Sequence, residues 1–120
     1  MMAVKSNVRF SDFPDYVEDS SVIANPVVDV FRGTGNVTAF QIVNGSADAW
    51  FKIFDSKDIT MSPSSDQTEP VIEIFVKAST TLVCSCDLTF STAVSYAATN
   101  FPQGTDNPDQ TVALTLMGDP

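Results

Sequence analysis

Apolar and polar residues alternate in short runs along most of this chain, and turn-forming residues separate the runs. In the run 80–90, the even positions hold Leu82, Cys84, Cys86, Leu88 and Phe90, whereas the odd positions are mostly polar. A period of two is typical of a β-strand with one buried face. No helical period is sustained for more than about three turns. The sequence therefore predicts an all-β fold.

Six runs are predicted to be strands: 27–31, 37–43, 48–54, 71–77, 80–90 and 111–117. The polar stretches 55–69 and 95–109 are predicted to be loops. Asn44, Gly45 and Ser46 form a strong turn signal, which predicts a hairpin between the strands 37–43 and 48–54. Several short strands with turns between them favour a single-domain β-sandwich, jelly-roll-like in type.

The first 25 residues differ in pattern from the rest of the 120-residue chain, whose length suits one core. We predict an N-terminal arm or extended surface segment at 1–25 and a β-sandwich domain at 26–120. Phe10, Phe13 and Tyr16 lie among acidic residues in the first segment. They either hold that segment on its own domain or anchor it on a neighbouring subunit. With Phe101, they are the candidate interface residues.

Charge limits the possible partners. Six basic residues against fifteen acidic ones give a formal net charge of −9, and the basic residues are scattered. Nucleic-acid backbones and anionic membranes are bound through clustered Lys and Arg, so the sequence predicts neither partner. No apolar run approaches the roughly 20 residues that span a bilayer.

The N-terminal residues and the two cysteines indicate the cellular compartment of the protein. The first residues lack the apolar stretch of a secretory signal, which predicts synthesis in a cytoplasm. Cys84 and Cys86 share one face of a predicted strand, where their Cβ vectors cannot converge into a disulfide. We expect them to be small buried hydrophobes in a reducing compartment.

The chain contains no histidine. Ser-His-Asp and Cys-His arrangements and ordinary zinc sites therefore cannot be built. The acidic residues fall mostly in loops and on polar strand faces. We expect no enzyme, no metal and no cofactor. One small-molecule role stays open, a carbohydrate-binding platform built on Trp50 and exposed Phe or Tyr side chains.

Three segments, 34–55, 69–76 and 88–99, occur in an order that resembles small virion structural proteins of tailed bacteriophages of the cyanophage and marine phage type. The family pattern is a hairpin with an Asn turn, then a Pro-led strand, then a Phe-to-Thr segment. Here Ser91, Thr92 and Ala93 replace the family's glycine-bearing stretch. The resemblance spans residues 33–99.

This resemblance implies a capsid decoration (cement) protein that bridges and stabilises major capsid subunits on the outer shell. The expected partners are the major capsid protein and further copies of the chain in a homotrimer. The expected location is the virion, after assembly in the host cytoplasm. A neck, head-to-tail or tail-associated subunit is the alternative within the same class.

Overall fold

The computed structural model describes residues 15–61, 67–102 and 104–119, and within these ranges the regular structure consists of strands without any helix. The all-β prediction is confirmed. In chain order the strands are β1 (Asp15–Asp19), β2 (Gly35–Asn44), β3 (Ala49–Phe54), β4 (Ile72–Val76), β5 (Thr81–Phe90), β6 (Ser95–Thr99) and β7 (Val112–Asp119).

The strands form two antiparallel sheets. One has four strands in the order β1-β7-β2-β5, and the other has three in the order β4-β3-β6. A register shift between Val37 and Ala39 interrupts β2 against both of its neighbours, which marks a β-bulge.

Side chains from both sheets meet in one hydrophobic core. On β2, Phe40 and Ile42 are buried while Gln41 and Val43 are exposed, as the alternation predicts. The Phe40 ring from the four-stranded sheet lies 5.9 Å from the Phe51 ring of the three-stranded sheet, centroid to centroid. The alternation of apolar and polar residues therefore identifies the side chains through which each sheet packs on the other sheet.

The predicted hairpin between β2 and β3 is wrong, because these consecutive strands belong to different sheets. The Asn44 side-chain amide donates to the carbonyl oxygens of Ala47 (2.8 Å) and Val76 (2.9 Å), which fixes the crossing. At Gly45 a Cβ would lie 2.9 Å from the Cβ of Gln110. A turn does occur at the predicted position, but it connects the two sheets. It leaves no room for a side chain at Gly45.

Two other local predictions are also wrong. Ser95–Thr99, predicted to lie in a loop, is strand β6, and all five residues are buried. A strand covered on both faces has no polar side to produce alternation. The predicted strand 27–31 is reduced to a single bridge between Val27 and Tyr96. It is ended by Asp29, whose φ is 55° and whose carboxylate accepts a 2.7 Å hydrogen bond from the Gly33 N–H.

The first described residues pack on the domain. Strand β1 pairs with β7, and Val22 is buried in the core. The Tyr96 hydroxyl donates a 2.9 Å hydrogen bond to the carboxylate of Asp19. From residue 15 onward, the segment assigned to an arm or surface segment thus supplies a strand and a core side chain. Phe10 and Phe13 lie outside the described residues.

Candidate interaction surface

The outer face of the three-stranded sheet carries an ordered set of aromatic and charged side chains. In the register of β3 with β4, Trp50 lies opposite Phe75 and Lys52 lies opposite Glu73. Directly opposed residues point to the same face of a sheet. Since the alternate residue Phe51 is in the core, these two pairs form adjacent rows on the outer face.

The first row is an aromatic pair. The ring centroids of Trp50 and Phe75 lie 4.9 Å apart, with an angle of 52° between the ring planes. Phe75 remains 48% exposed, whereas Trp50 is partly buried. Tilted ring pairs of this kind are favourable contacts, so Trp50 supports Phe75 in a fixed position while Phe75 faces solvent.

The second row is an ion pair. The Lys52 Nζ lies 3.2 Å from a Glu73 carboxylate oxygen, and it donates a 2.7 Å hydrogen bond to the carbonyl oxygen of Pro102. The Lys52 side chain is only 3% exposed, whereas that of Glu73 is 28% exposed. A buried ammonium group is tolerated when it is paired and hydrogen-bonded in this way. Lys52 therefore ties the loop after β6 to the centre of the sheet.

The backbone of Phe101 lies beside the same face. The Thr99 hydroxyl donates a 2.6 Å hydrogen bond to the Phe101 carbonyl oxygen, and Thr99 lies opposite Trp50 in the register of β3 with β6. The Phe101 side chain is 62% exposed. Trp50, Phe75 and Phe101, with the Lys52–Glu73 pair, are called the aromatic surface below. Beside the ion pair lies an open cleft of about 240 Å³.

The structure describes two of the four sequence-predicted interface residues, Tyr16 and Phe101, and places them on different sheets. Tyr16 is 39% exposed and lies on β1 of the four-stranded sheet, opposite Met117. Phe101 follows the last strand of the other sheet. Phe10 and Phe13 lie outside the described ranges.

Phe75 was missed by the sequence reasoning, although a signal for it exists. In the run 71–77 it shares the parity of Glu73 and Lys77, so it is an aromatic residue at a position where alternation predicts a polar one. Aromatic residues are enriched at protein interfaces, so an aromatic residue out of phase on a solvent-facing row is a candidate contact residue.

The two cysteines are free and partly buried on the inward-facing row of β5. Burial raises the pKa of the Cys86 thiol, and the neighbouring Cys84 raises it further. A raised pKa keeps the thiol protonated and weakly nucleophilic. Both cysteines pack against the hydrophobic core as small side chains.

Across the described ranges, His, Cys, Asp and Glu residues nowhere gather into a group of three that could hold a metal ion. That part of the chain also contains no helix long and apolar enough to cross a membrane. No family model matches this chain, and no curated protein or solved structure matches it either.

Proposed function

We propose that this chain is a virion structural protein of a tailed bacteriophage, a capsid decoration protein that bridges major capsid subunits on the outer shell. Its two sheets would form a jelly-roll-like β-sandwich, and three copies would assemble around a local three-fold axis. The proposal assigns it no catalytic step. It rests on the resemblance of residues 33–99 to such proteins and on the aromatic surface.

The observation that carries the contact role is the exposure of two phenylalanines on a chain with a formal charge of −9. Phe75 and Phe101 are 48% and 62% exposed. Exposing large aromatic rings to water is unfavourable, and their burial at an interface contributes about 25 cal/mol per Å² of apolar surface. Rigid aromatic side chains are the usual anchors of protein interfaces.

The contacts beneath the two phenylalanines support the same role. The Trp50 ring holds Phe75 from the side, and the Lys52 hydrogen bond to Pro102 holds the loop that carries Phe101. Ordering an interface before binding reduces the entropy lost on association. Many modest interfaces that must break together would then resist outward pressure on a shell.

Binding to purified expanded capsids tests the proposal. The wild-type chain is expected to saturate the capsids, and the double variant Phe75→Ala, Phe101→Ala is expected to lose most of its occupancy. Val28→Ala, which removes a 46% exposed apolar side chain outside this surface, is the matched control. Circular dichroism verifies that each variant is folded. Equal occupancy of the wild type and the double variant would exclude the aromatic surface as the contact.

A carbohydrate-binding module is the second candidate, favoured by the Trp50–Phe75 pair beside the polar Lys52–Glu73 pair. The tilt of 52° between the two rings argues against a flat platform for a sugar ring. A glycan array separates the two functions. Glycan binding that Trp50→Ala abolishes, with the fold intact, would support the carbohydrate-binding class.

A further inference from the structure

The open edge of β5 differs from the other sheet edges. Within the described residues, β5 is paired with β2 alone, and it has ten residues against five in β1, the other edge strand of this sheet. It contains one charged residue, Asp87, and neither Pro nor Gly. A long edge strand with few charges and no proline is a template for pairing with another strand.

The remaining edges carry protection. Strand β1 has three acidic residues among its five. In the three-stranded sheet, the edge of β6 is covered by the chain at residues 23–30, for example through the 3.0 Å hydrogen bond from the Ala98 N–H to the Ile23 carbonyl oxygen. Strand β4 has five residues and carries Glu73. Within the described fold, protection is therefore missing at β5 in particular.

One backbone hydrogen bond identifies the residues of β5 that face the open edge. The Asn44 N–H donates to the Thr80 carbonyl oxygen, 3.0 Å, so the even-numbered residues of this stretch point their backbone groups toward β2. Successive residues of an antiparallel strand direct these groups to opposite sides. The N–H and C=O groups of Thr81, Val83 and Ser85 therefore point to the open edge. This alternation extends to Ser85, because the register of β5 with β2 shifts after that residue.

The side chains of the same stretch leave apolar surface on both faces of the edge. On the outer face Val83 is 67% exposed, more than any other large hydrophobic side chain of the described residues. On the inner face Leu82 and Cys84 pack on the core yet remain partly exposed. Phe40 and Ile42, which lie beside them on β2, are buried. A further strand beside β5 would cover this apolar surface.

An identical strand fits this edge, because the antiparallel pairing of two copies is two-fold symmetric. An axis through Val83 places Thr81 of one copy opposite Ser85 of the other. Since all three residues direct N–H and C=O groups to the open edge, each of these groups then finds a partner. No other two-fold register pairs the three residues exclusively with one another.

The side chains match in the same register. Leu82 lies opposite Cys84 of the other copy on the inner face, and the two Val83 side chains lie opposite each other on the outer face. Apolar cross-strand pairs stabilise a sheet. The charge pattern permits the contact as well. The chain has a formal net charge of −9, but the one charged residue of β5, Asp87, lies outside the paired stretch.

We infer that β5 pairs with β5 of a second copy of this chain, residues 81–85 against residues 81–85, so that two four-stranded sheets join into one of eight strands. The contact is isologous, because the same residues serve on both copies. It lies on the four-stranded sheet, whereas the aromatic surface lies on the three-stranded sheet. The inference concerns the purified chain and does not rest on the proposed decoration role.

Sedimentation equilibrium of the purified full chain tests the inference. The wild type is expected to be a dimer. Val83→Glu places two like charges opposite each other at the two-fold axis, which is unfavourable, and is expected to give a monomer. Val28→Glu, at a 46% exposed apolar residue outside the contact, is the matched control and is expected to remain a dimer. Both substituted side chains are exposed, and circular dichroism verifies that the variants fold.

A disulfide cross-link tests the register. In the double variant Leu82→Cys, Cys86→Ser, the thiol introduced at position 82 lies opposite Cys84 of the other copy. This pair is not hydrogen-bonded, so its Cα atoms are about 4.5 Å apart, within the reach of a disulfide. Diamide, which takes up the two protons and two electrons of the two thiols, is expected to give a covalent dimer on a non-reducing gel. Cys86→Ser alone is expected to give none.

The outcomes that would overturn the inference are specific. A monomeric full chain would do so, including one whose β5 amides are protected from hydrogen exchange by another segment of the same copy. A dimer that survives Val83→Glu, or that both Glu variants dissociate, would place the contact elsewhere. A dimer that diamide does not cross-link in the double variant would contradict the pairing of residues 81–85.

Discussion

The carboxylate of Asp55, at the end of β3, accepts a 2.8 Å hydrogen bond from the backbone N–H of Thr92, at the turn between β5 and β6. The same carboxylate accepts hydrogen bonds from the N–H groups of Ser91 and Ala93, both at 3.1 Å. Asp55 thus accepts hydrogen bonds from three consecutive backbone N–H groups. It links the end of β3, in the three-stranded sheet, to the turn that connects the two sheets.

This cap predicts a pH dependence of stability. Desolvation raises the pKa of Asp55, but the hydrogen bonds from Thr92, Ser91 and Ala93 together outweigh it, and the pKa lies below its ordinary value of 3.8. The folded state therefore binds this proton less readily than the unfolded state. The stabilisation is full above pH 3.8 and is lost as the pH falls through the lower, folded-state pKa.

Asp55→Asn is expected to lower the free energy of unfolding at neutral pH by about 1 kcal/mol, a modest value because the carboxylate is partly exposed. It is also expected to flatten the acid limb of stability against pH. Urea unfolding at several pH values measures both effects, with Asp58→Asn as the control. If both variants lose stability in parallel at every pH, the cap makes no specific contribution.

Tyr96 predicts the opposite dependence at alkaline pH. Burial, together with the hydrogen bond to Asp19, raises the pKa of the Tyr96 hydroxyl above its ordinary value of 10.0. The folded state thus holds the proton more tightly, so stability is full below pH 10.0 and falls as the pH rises beyond it. Tyr96→Phe is expected to remove this slope and to reduce stability by about 1 kcal/mol.

Tyrosinate absorbance checks the Tyr96 prediction directly. The chain has two tyrosines, so Tyr16→Phe leaves Tyr96 as the single chromophore of this kind. Its titration is expected to lie well above that of the urea-unfolded protein. Coincident folded and unfolded titrations would mean that the bond to Asp19 does not hold the proton.

The Lys52–Glu73 ion pair predicts that substitutions at these two residues have non-additive effects on the free energy of unfolding. Glu73→Gln leaves the buried Lys52 ammonium with the Pro102 carbonyl and no carboxylate. We expect a loss of about 1–2 kcal/mol, because Glu73 itself is partly exposed. Lys52→Met combined with Glu73→Gln is expected to recover part of that loss, since no charge then remains buried. Additive losses in a double-mutant cycle would contradict this.

Gly118 predicts a packing effect. A Cβ at this position would clash with the Asn36 carbonyl oxygen and with the Phe31 ring. Gly118→Ala is expected to lower stability by about 1–3 kcal/mol through overpacking, measured by thermal unfolding. The loss should be smaller in a Phe31→Ala background, because one of the two obstacles is gone. An equal loss in both backgrounds would assign the strain to Asn36 alone.

The sequence predicted those strands that have one solvent-exposed face. On β5, the exposed Val83, Ser85 and Asp87 alternate with partly buried residues, so the period of two could be recognised in the sequence. It failed at β6, where Ser95 and Thr99 are buried like the residues between them. Burial on both faces removes the alternation on which the prediction depends.

Strand pairing was not predictable from local pattern. The turn at Asn44 and Gly45 was found, but a turn signal carries no information on whether the chain stays in its sheet. Long-range contacts decide that, such as the bond from the Gly45 N–H to the Thr111 carbonyl oxygen, 3.0 Å. The aromatic surface depends on the same pairing, because only the register of β3 with β4 brings Phe75 beside Trp50.

Copy number in a purified virion tests the proposed decoration role most directly. Quantitative mass spectrometry of intact particles gives the ratio of this chain to the major shell subunit. A shell decoration protein is expected at an abundance comparable to that of the shell subunit. Absence from the particle, or the low abundance of a neck or tail component, would contradict the decoration role.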